Sequence, residues 1–389
     1  MTCALCLGAA TSHAQDAAKA PDAKPADTKA ADAKSADAKP DEGGKITWNG
    51  LLDFYYQYSF SHPPVGAILA GRAFDIKNDQ FAFSLLEVNV TRTPSKKLPV
   101  GFTVTGTIGK TADLVHFTEP GGPNTYKYLQ QVYATYVTEG KVPVTFDFGK
   151  WVTLHGYEVI ESSSNDNYSR GLLFTYAIPF YHMGIRASAP VTKQLTLGAQ
   201  LVNGWNDVED ENGGKSYGVL LNFTPSTTLN FILNYMGGDE GGPANSNGAF
   251  GGIGFPDARV LNTHLLDFVA NWTPTAKFKL GANVDYASAA KPGVSGGHWS
   301  GEAVYLKYTL STRNAVTVRL EHFEDTNGLR TGAAQNLNEV TATLDHAWKP
   351  NVVTRLEFRH DHAGTKFFPS GGGGGTDQDT ILLGQVVKF

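Results

Sequence analysis

From Ile46 onward, apolar and polar residues alternate with period two. Trp48, Leu52, Phe54, Tyr56 and Tyr58 share one parity, while Asn49, Asp53 and Gln57 share the other. The alternation returns in Val316, Val318 and Leu320 against Thr317, Arg319 and Glu321, and in Thr354, Leu356 and Phe358 against Arg355, Glu357 and Arg359. Successive side chains on a strand point to opposite faces, so the pattern predicts β-strands with one apolar and one polar face. Charges stand in the middle of the polar faces, among them Glu87, Asp147, Arg186, Asp267, Lys279, Asp285, Lys307 and Asp345.

Two architectures use such strands. In a soluble sandwich the apolar faces meet each other, whereas in a membrane barrel they meet lipid and the polar faces line a lumen. Connector lengths separate the two, because outer-membrane barrels alternate short periplasmic turns with longer extracellular loops. Short connectors stand at Thr93–Pro99, Glu139–Pro143, Pro190–Lys193, Thr224–Ser226, Thr273–Ala276, Ser311–Thr312 and Lys349–Pro350, most with a proline that ends a strand. Between them fall long ones: Ser61–Asn78, Thr111–Lys127, Val152–Pro179, Trp205–Gly214, Gly237–Leu261, Ala287–His298, Asp325–Gln335 and His362–Thr376. Strands of about ten residues fit between, the length a tilted strand needs to cross the hydrocarbon layer. The expected fold is all-β, a transmembrane antiparallel barrel of about 16 strands with both chain ends in the periplasm. Trp48, Trp151, Trp272 and Trp348 fall at strand ends, where interfacial girdles belong.

Composition adds weight to this. Gly 43, Phe 22, Tyr 16 and Trp 6 against Met 3 and Cys 2 suit strands and tight turns better than helices. No apolar run of roughly eighteen residues reads as a transmembrane helix. A net charge of -5, with no basic cluster interleaved with aromatics, argues against nucleic acid. Residues 1–14 read as the back half of a secretory signal, apolar from Ala4 to Ala10 with a small-x-small site at Ser12-His13-Ala14. Its basic region is missing, as a mis-assigned start codon would leave it, and cleavage after Ala14 would remove both cysteines. Residues 15–45 are low in complexity, with Lys19, Lys24, Lys29, Lys34 and Lys39 evenly spaced. Such a segment buries no apolar area to offset its ordering entropy, so it is expected to be a disordered periplasmic linker, either a plain spacer or a peptidoglycan contact. The barrel then occupies residues 46–389.

Residues 148–190 carry more specific motifs: Gly149-Lys150, Gly156-Tyr157-Glu158, Asn167-Tyr168-Ser169-Arg170, and Pro179-Phe180-Tyr181-His182-Met183-Gly184-Ile185-Arg186. These resemble the putative β-barrel porin 2 family, the outer-membrane-protein-L-like porins, and the likeness extends loosely from Ile46 to Phe389. The resemblance implies an outer-membrane channel and leaves its solute open. The segment holds the third long loop, which in general porins folds inward and narrows the barrel. Constriction residues are therefore expected at Lys150, Tyr157, Glu158, Glu161, Asp166, Tyr168 and Arg170. The facing pore wall is expected at Glu87, Asp147, Arg186, Lys307, Arg319, Glu321, Arg355, Glu357 and Arg359. Loop acids opposite wall bases would set up a transverse field that orients polar solutes; alternatively, these ions pair with one another and only fix the loop.

The function expected is that of a porin, passing small hydrophilic solutes or ions passively. The alternative is a structural or adhesive barrel with a closed lumen and partner-binding loops. Catalysis is not expected: His155 lies near Ser162, Ser163 and Ser164, but a triad is defined by geometry that proximity in a loop does not supply. No cofactor or metal is called for. His182, His322, His346 and His360 read as interfacial or hydrogen-bonded, and the acidic run from Asn206 to Asn212 lacks the calcium-loop pattern. The glycines at 251–254 and 371–375 read as loop tips. Expected partners are outer-membrane lipid, small hydrophilic solutes and the barrel-assembly machinery, which the C-terminal strand ending in Phe389 would engage. A homotrimer of the general porin kind is an option that no marker in the chain requires.

Overall fold

The computed structural model describes residues 44–119, 122, 124–210, 212–240 and 261–389. The expected signal remnant, nearly all of the linker, Glu211 and the glycines at 251–254 lie outside the described residues. The strands are β1 (Ile46–Ser59), β2 (Gln80–Arg92), β3 (Val100–Ile108), β4 (Leu129–Val137), β5 (Thr145–Val152), β6 (Tyr181–Pro190), β7 (Leu195–Val202), β8 (Ser216–Ser226) and β9 (Leu229–Glu240). They continue with β10 (Leu261–Thr275), β11 (Phe278–Lys291), β12 (Val294–Thr309), β13 (Asn314–Asp325), β14 (Gln335–Lys349), β15 (Val352–Ala363), the short β16 (Phe368–Ser370) and β17 (Gly373–Gly375), and β18 (Asp377–Lys388). Sixteen of them form one closed antiparallel barrel in which β18 joins β15 to β1, while β16 and β17 make a separate hairpin in the last loop. Closure leaves no strand edge unpaired, as a barrel in lipid requires.

Burial along the strands is inverted relative to a soluble protein. Leu320, Val340, Leu344, Leu356 and Phe358 are between 43 and 46% exposed, whereas Arg319 and Arg359 on the opposite parity are 0% and 1% exposed. An apolar outer face with charges inside is the membrane arrangement, so the lumen is where chemistry must be sought. The chain end completes the closure: the Phe389 N–H donates to the Gly50 carbonyl at 3.0 Å and Gly50 N–H to the Phe389 carbonyl at 2.8 Å. The Phe389 ring covers Gly50, where a Cβ would overlap it, and lies 6.2 Å from the Trp48 ring.

One expected loop is not a loop. Ala287–His298 continues as paired strand through Ala289↔Gly297 and Lys291↔Val294, turning at Gly293 with φ 78°. Only Gly293 serves the turn; Gly296 and Gly297 are strand glycines kept small by crowding, since a side chain at Gly296 would strike the backbone of Ala289 and Ala290.

Candidate functional site

The third loop, residues 153–180, joins β5 to β6 and is largely buried. It is mostly irregular, with a single 3-10 turn at Ser162–Ser164 and a short π turn at Leu173–Ala177. Gly156, at φ 81°, permits the sharp bend into Tyr157. Asn165 then ties the next segment, accepting from Val159 N–H at 2.8 Å and donating to the Val159 carbonyl at 2.7 Å.

A buried loop without regular structure must find partners for its backbone N–H and C=O groups. Here the wall provides them. Arg355 donates to the carbonyls of Ser162, Asn165 and Asn167 at 2.6, 2.8 and 3.0 Å. Arg359 donates to the Arg170 carbonyl at 2.7 Å and to Gly71 of the first loop at 2.9 Å. Arg319 donates to the Ser169 carbonyl at 2.7 Å. Wall acceptors take the N–H groups: Glu357 from Tyr168 at 2.7 Å and Ser169 at 3.1 Å, Asn283 from Tyr157 at 2.9 Å, and Glu321 from Leu172. Charged partners make these bonds strong, and together they offset part of the desolvation of so many ions.

The expected loop residues, Lys150 apart, come together on this seat. Glu158 pairs with Arg319 at 2.7 Å and accepts from Gly171 N–H at 2.5 Å. Tyr168 donates to Asp53 of β1 at 2.7 Å. Glu161 accepts from Gln130 at 2.6 Å, and the same amide reaches Glu87 at 3.5 Å. Arg170 donates back to the Tyr168 carbonyl at 2.5 Å and lies 4.7 Å from the Phe74 ring centre. Asp166 accepts from Tyr157 at 2.7 Å and Lys279 at 2.8 Å and pairs with Lys307 at 3.3 Å. Burial works against ionisation of Asp166, but Lys279 and Lys307 outweigh it and hold the carboxyl below the usual carboxylate range.

Lys150 stands apart from that group. It lies in β5 beneath the second loop, its Nζ 2.8 Å from the Leu129 carbonyl, 2.5 Å from His116 Nε2 and 4.4 Å from the Tyr181 ring centre. Of the expected wall, Arg319, Glu321, Arg355, Glu357 and Arg359 are buried against the loop, while Asp147 and Arg186 pair at 2.8 Å and, like Lys307, keep partly exposed side chains. Asp53, Asn283, Tyr305 and Glu339 were not singled out from the sequence. Glu339 chelates Arg319 at 2.7 and 2.9 Å, and its inward parity beside Thr341 and Asp345 was the signal available.

The remaining candidates are placed elsewhere. The Thr153 hydroxyl lies 3.1 Å from His155 Nδ1, and Ser162 donates to Asp53 at 2.7 Å. His182 is buried, with ring nitrogens near Gly204 O and Thr153 Oγ1, while His322, His346 and His360 meet Asn338, Asn314 and Asp379. Among the described residues, no group of three His, Cys, Asp or Glu could hold a metal.

His116, in the second loop, yields a pH prediction. Burial first, and then the charge of Lys150, push its imidazole down to about 3. An unfolded histidine takes its proton near about 6.5, so the packing of His116 contributes fully above that pH and is lost as pH falls toward 3. Amide exchange in residues 110–119, corrected for intrinsic rate, should accelerate by up to about tenfold per pH unit below 6.5. His116→Asn should flatten this dependence; a wild-type profile already flat from pH 7 to 4 would refute the assignment.

A closed barrel with an apolar outer face and an ion-lined interior defines the chain as a porin-type outer-membrane barrel. It belongs to the family described as putative beta-barrel porin-2, OmpL-like, whose model matches residues 45–389. Solved structures agree on the fold. The anion-selective porin of Comamonas acidovorans superposes with a TM-score of 0.60 at 10% identity, over 89% of this chain and 100% of that one. In-vitro folded OmpT of Vibrio cholerae, in its trimer form, gives 0.57 at 10% identity over 90% and 100% of the two chains. The channel DcaP of Acinetobacter baumannii gives 0.56 at 10% identity over 90% and 99%. No curated protein matches by sequence.

Proposed function

We propose that this barrel lets small hydrophilic solutes diffuse passively across the outer membrane, with the third loop folded into the lumen as its constriction. The observation that carries this reading is the origin of the loop's hydrogen-bond partners. They are inward-parity side chains of β1, β11, β13, β14 and β15, so the loop would cross the lumen rather than lie over its rim. Partly exposed Arg186, Asp147, Lys279 and Lys307 would line the remaining path. In this reading residues 1–14 are a signal remnant, residues 15–45 tether the barrel from the periplasmic side, Phe389 serves barrel assembly, and three copies associate in lipid.

One observation favours a second reading, a structural or adhesive barrel with a closed lumen. Phe74, Phe174, Phe180, Trp205 and Leu329 from several loops join Met236, Leu265, Tyr305 and Phe323 of the wall in one buried apolar cluster. Single-channel current in planar bilayers separates the two readings, using the protein with and without residues 156–170. Stepwise openings that widen on deletion support the constricted porin. A barrel that inserts but never conducts, even without the loop, would leave the closed reading standing.

A further inference from the structure

We infer that Lys279 and Lys307 of the lumen wall, with Tyr157 of the third loop, form a carboxylate-binding seat, which Asp166 of the same loop occupies at rest and for which carboxylate-bearing solutes compete during passage. This rests on the porin reading above and names its solute class.

The geometry is that of a ligand site already filled. The two Asp166 oxygens are divided between the ammonium groups: Oδ2 accepts from Lys279 at 2.8 Å and Oδ1 lies 3.3 Å from Lys307. The Tyr157 hydroxyl donates to Oδ2 at 2.7 Å. Two ammoniums and a phenol O–H match the acceptor-only character of an ionised carboxylate. Tyr157 is held rigidly, its ring stacked on Tyr305 at 4.0 Å between centres, and Lys279 sits 5.2 Å above the Tyr157 ring.

Accessibility distinguishes this pair from the rest of the ion lattice. The side chains of Lys279 and Lys307 are 22% and 24% exposed, whereas the Asp166 they hold is 7% exposed and Arg319 is 0% exposed. A solute can therefore touch both ammoniums before Asp166 leaves. The surrounding charge favours an anion as well. Lys307 also lies 3.5 Å from Asp345, which Arg355 approaches at 3.1 Å, so three cations face two carboxylates. Removing Asp166 leaves the patch with a further positive charge, and the low-dielectric walls focus its field on the lumen. Since Asp166 is tethered, it competes as an intramolecular ligand at high effective concentration, and a free carboxylate binds weakly until that competitor is removed.

The experiment is calorimetric titration of the full-length refolded barrel in detergent with succinate, using neutral succinamide as the control. Asp166→Asn keeps the shape of the loop and removes the competitor, and should bind succinate about 10- to 100-fold more tightly than wild type. Lys279→Met with Lys307→Met should lose succinate binding, each single change should weaken it, and heat-modifiable migration in gels verifies that every variant is folded. Equal affinity of Asp166→Asn and wild type, or succinate binding that survives in the folded double variant, overturns the inference. The channel reading is tested apart from it: in bilayers, a conducting protein that succinate and succinamide block alike sinks the seat but not the pore. Absence of conductance sinks the pore, while the titration still decides the seat.

Discussion

Replacing Arg319 with alanine is expected to cost the barrel about 3–5 kcal/mol and to free the third loop, because it strips a buried ion lattice of its central cation. The guanidinium is fully buried and gives its donors to Glu339 at 2.7 and 2.9 Å, Glu158 at 2.7 Å, the Ser169 carbonyl at 2.7 Å and Thr341 at 3.2 Å. Alanine takes the Arg319 guanidinium from Glu158 and leaves Glu339 with Arg359 alone, at 3.0 Å, beside the buried Glu321, and this loss of compensating positive charge accounts for most of the cost. Arg319→Lys should recover little, since a single ammonium cannot chelate Glu339 and reach the loop carbonyl together. Arg319→Ala combined with Glu158→Gln should be milder than the single change, because the carboxylate that loses its guanidinium is then neutral. Denaturant unfolding in micelles gives the energies, and trypsin gives the loop: the bond after the buried Arg170 should become cleavable only in the variant. A loss below about 1 kcal/mol with Arg170 still protected would mean that the lattice does not hold the loop.

The barrel was legible because its determinants are local. Period-two alternation and prolines in the short turns require no knowledge of distant contacts, and they locate the strand ends near Arg92, Val137, Pro190 and Lys349. The failure at Ala287–His298 has a tertiary cause, since Gly296 and Gly297 are small to admit Ala290 and Asn327 rather than to turn. Parity also assigned Arg319, Arg355 and Arg359 to the inner face. It carried no information on the loop they face, because the third-loop carbonyls they meet lie about 150 to 190 residues away along the chain. For the same reason Lys150 was grouped with the loop it adjoins in sequence, although the second loop covers it. Asp53 and Glu339 share the parity of the residues that were named, and only the folded loop distinguishes them from any other polar lining residue.

Gly384→Leu should raise single-channel conductance without altering any charge. Gly384 lies on the inner face of β18, and a Cβ there would overlap the Tyr168 ring. That glycine is the gap into which Tyr168 fits while its hydroxyl donates to Asp53 at 2.7 Å and its N–H to Glu357 at 2.7 Å. The backbone at Gly384 is ordinary extended strand, paired with Tyr55 and Arg355, so leucine suits it and the wall should stay intact. Overpacking of this kind costs about 1–3 kcal/mol, and the side able to yield is the irregular loop rather than the hydrogen-bonded ladder. Tyr168 is thus driven from its seat, the segment from Asn165 to Arg170 loses its alignment with Arg355 and Glu357, and the passage beside it widens. Gly106→Leu controls for the added leucine alone, because Gly106 stands on the outward parity of β3 opposite the exposed Val88 and the nearest atoms to a Cβ there are 3.8 Å away. If the two variants conduct alike, the seat of Tyr168 does not set the width of the pore. If only Gly384→Leu conducts more, with its anion-to-cation ratio unchanged, the loop narrows the path by its bulk and its ions serve to hold it in place.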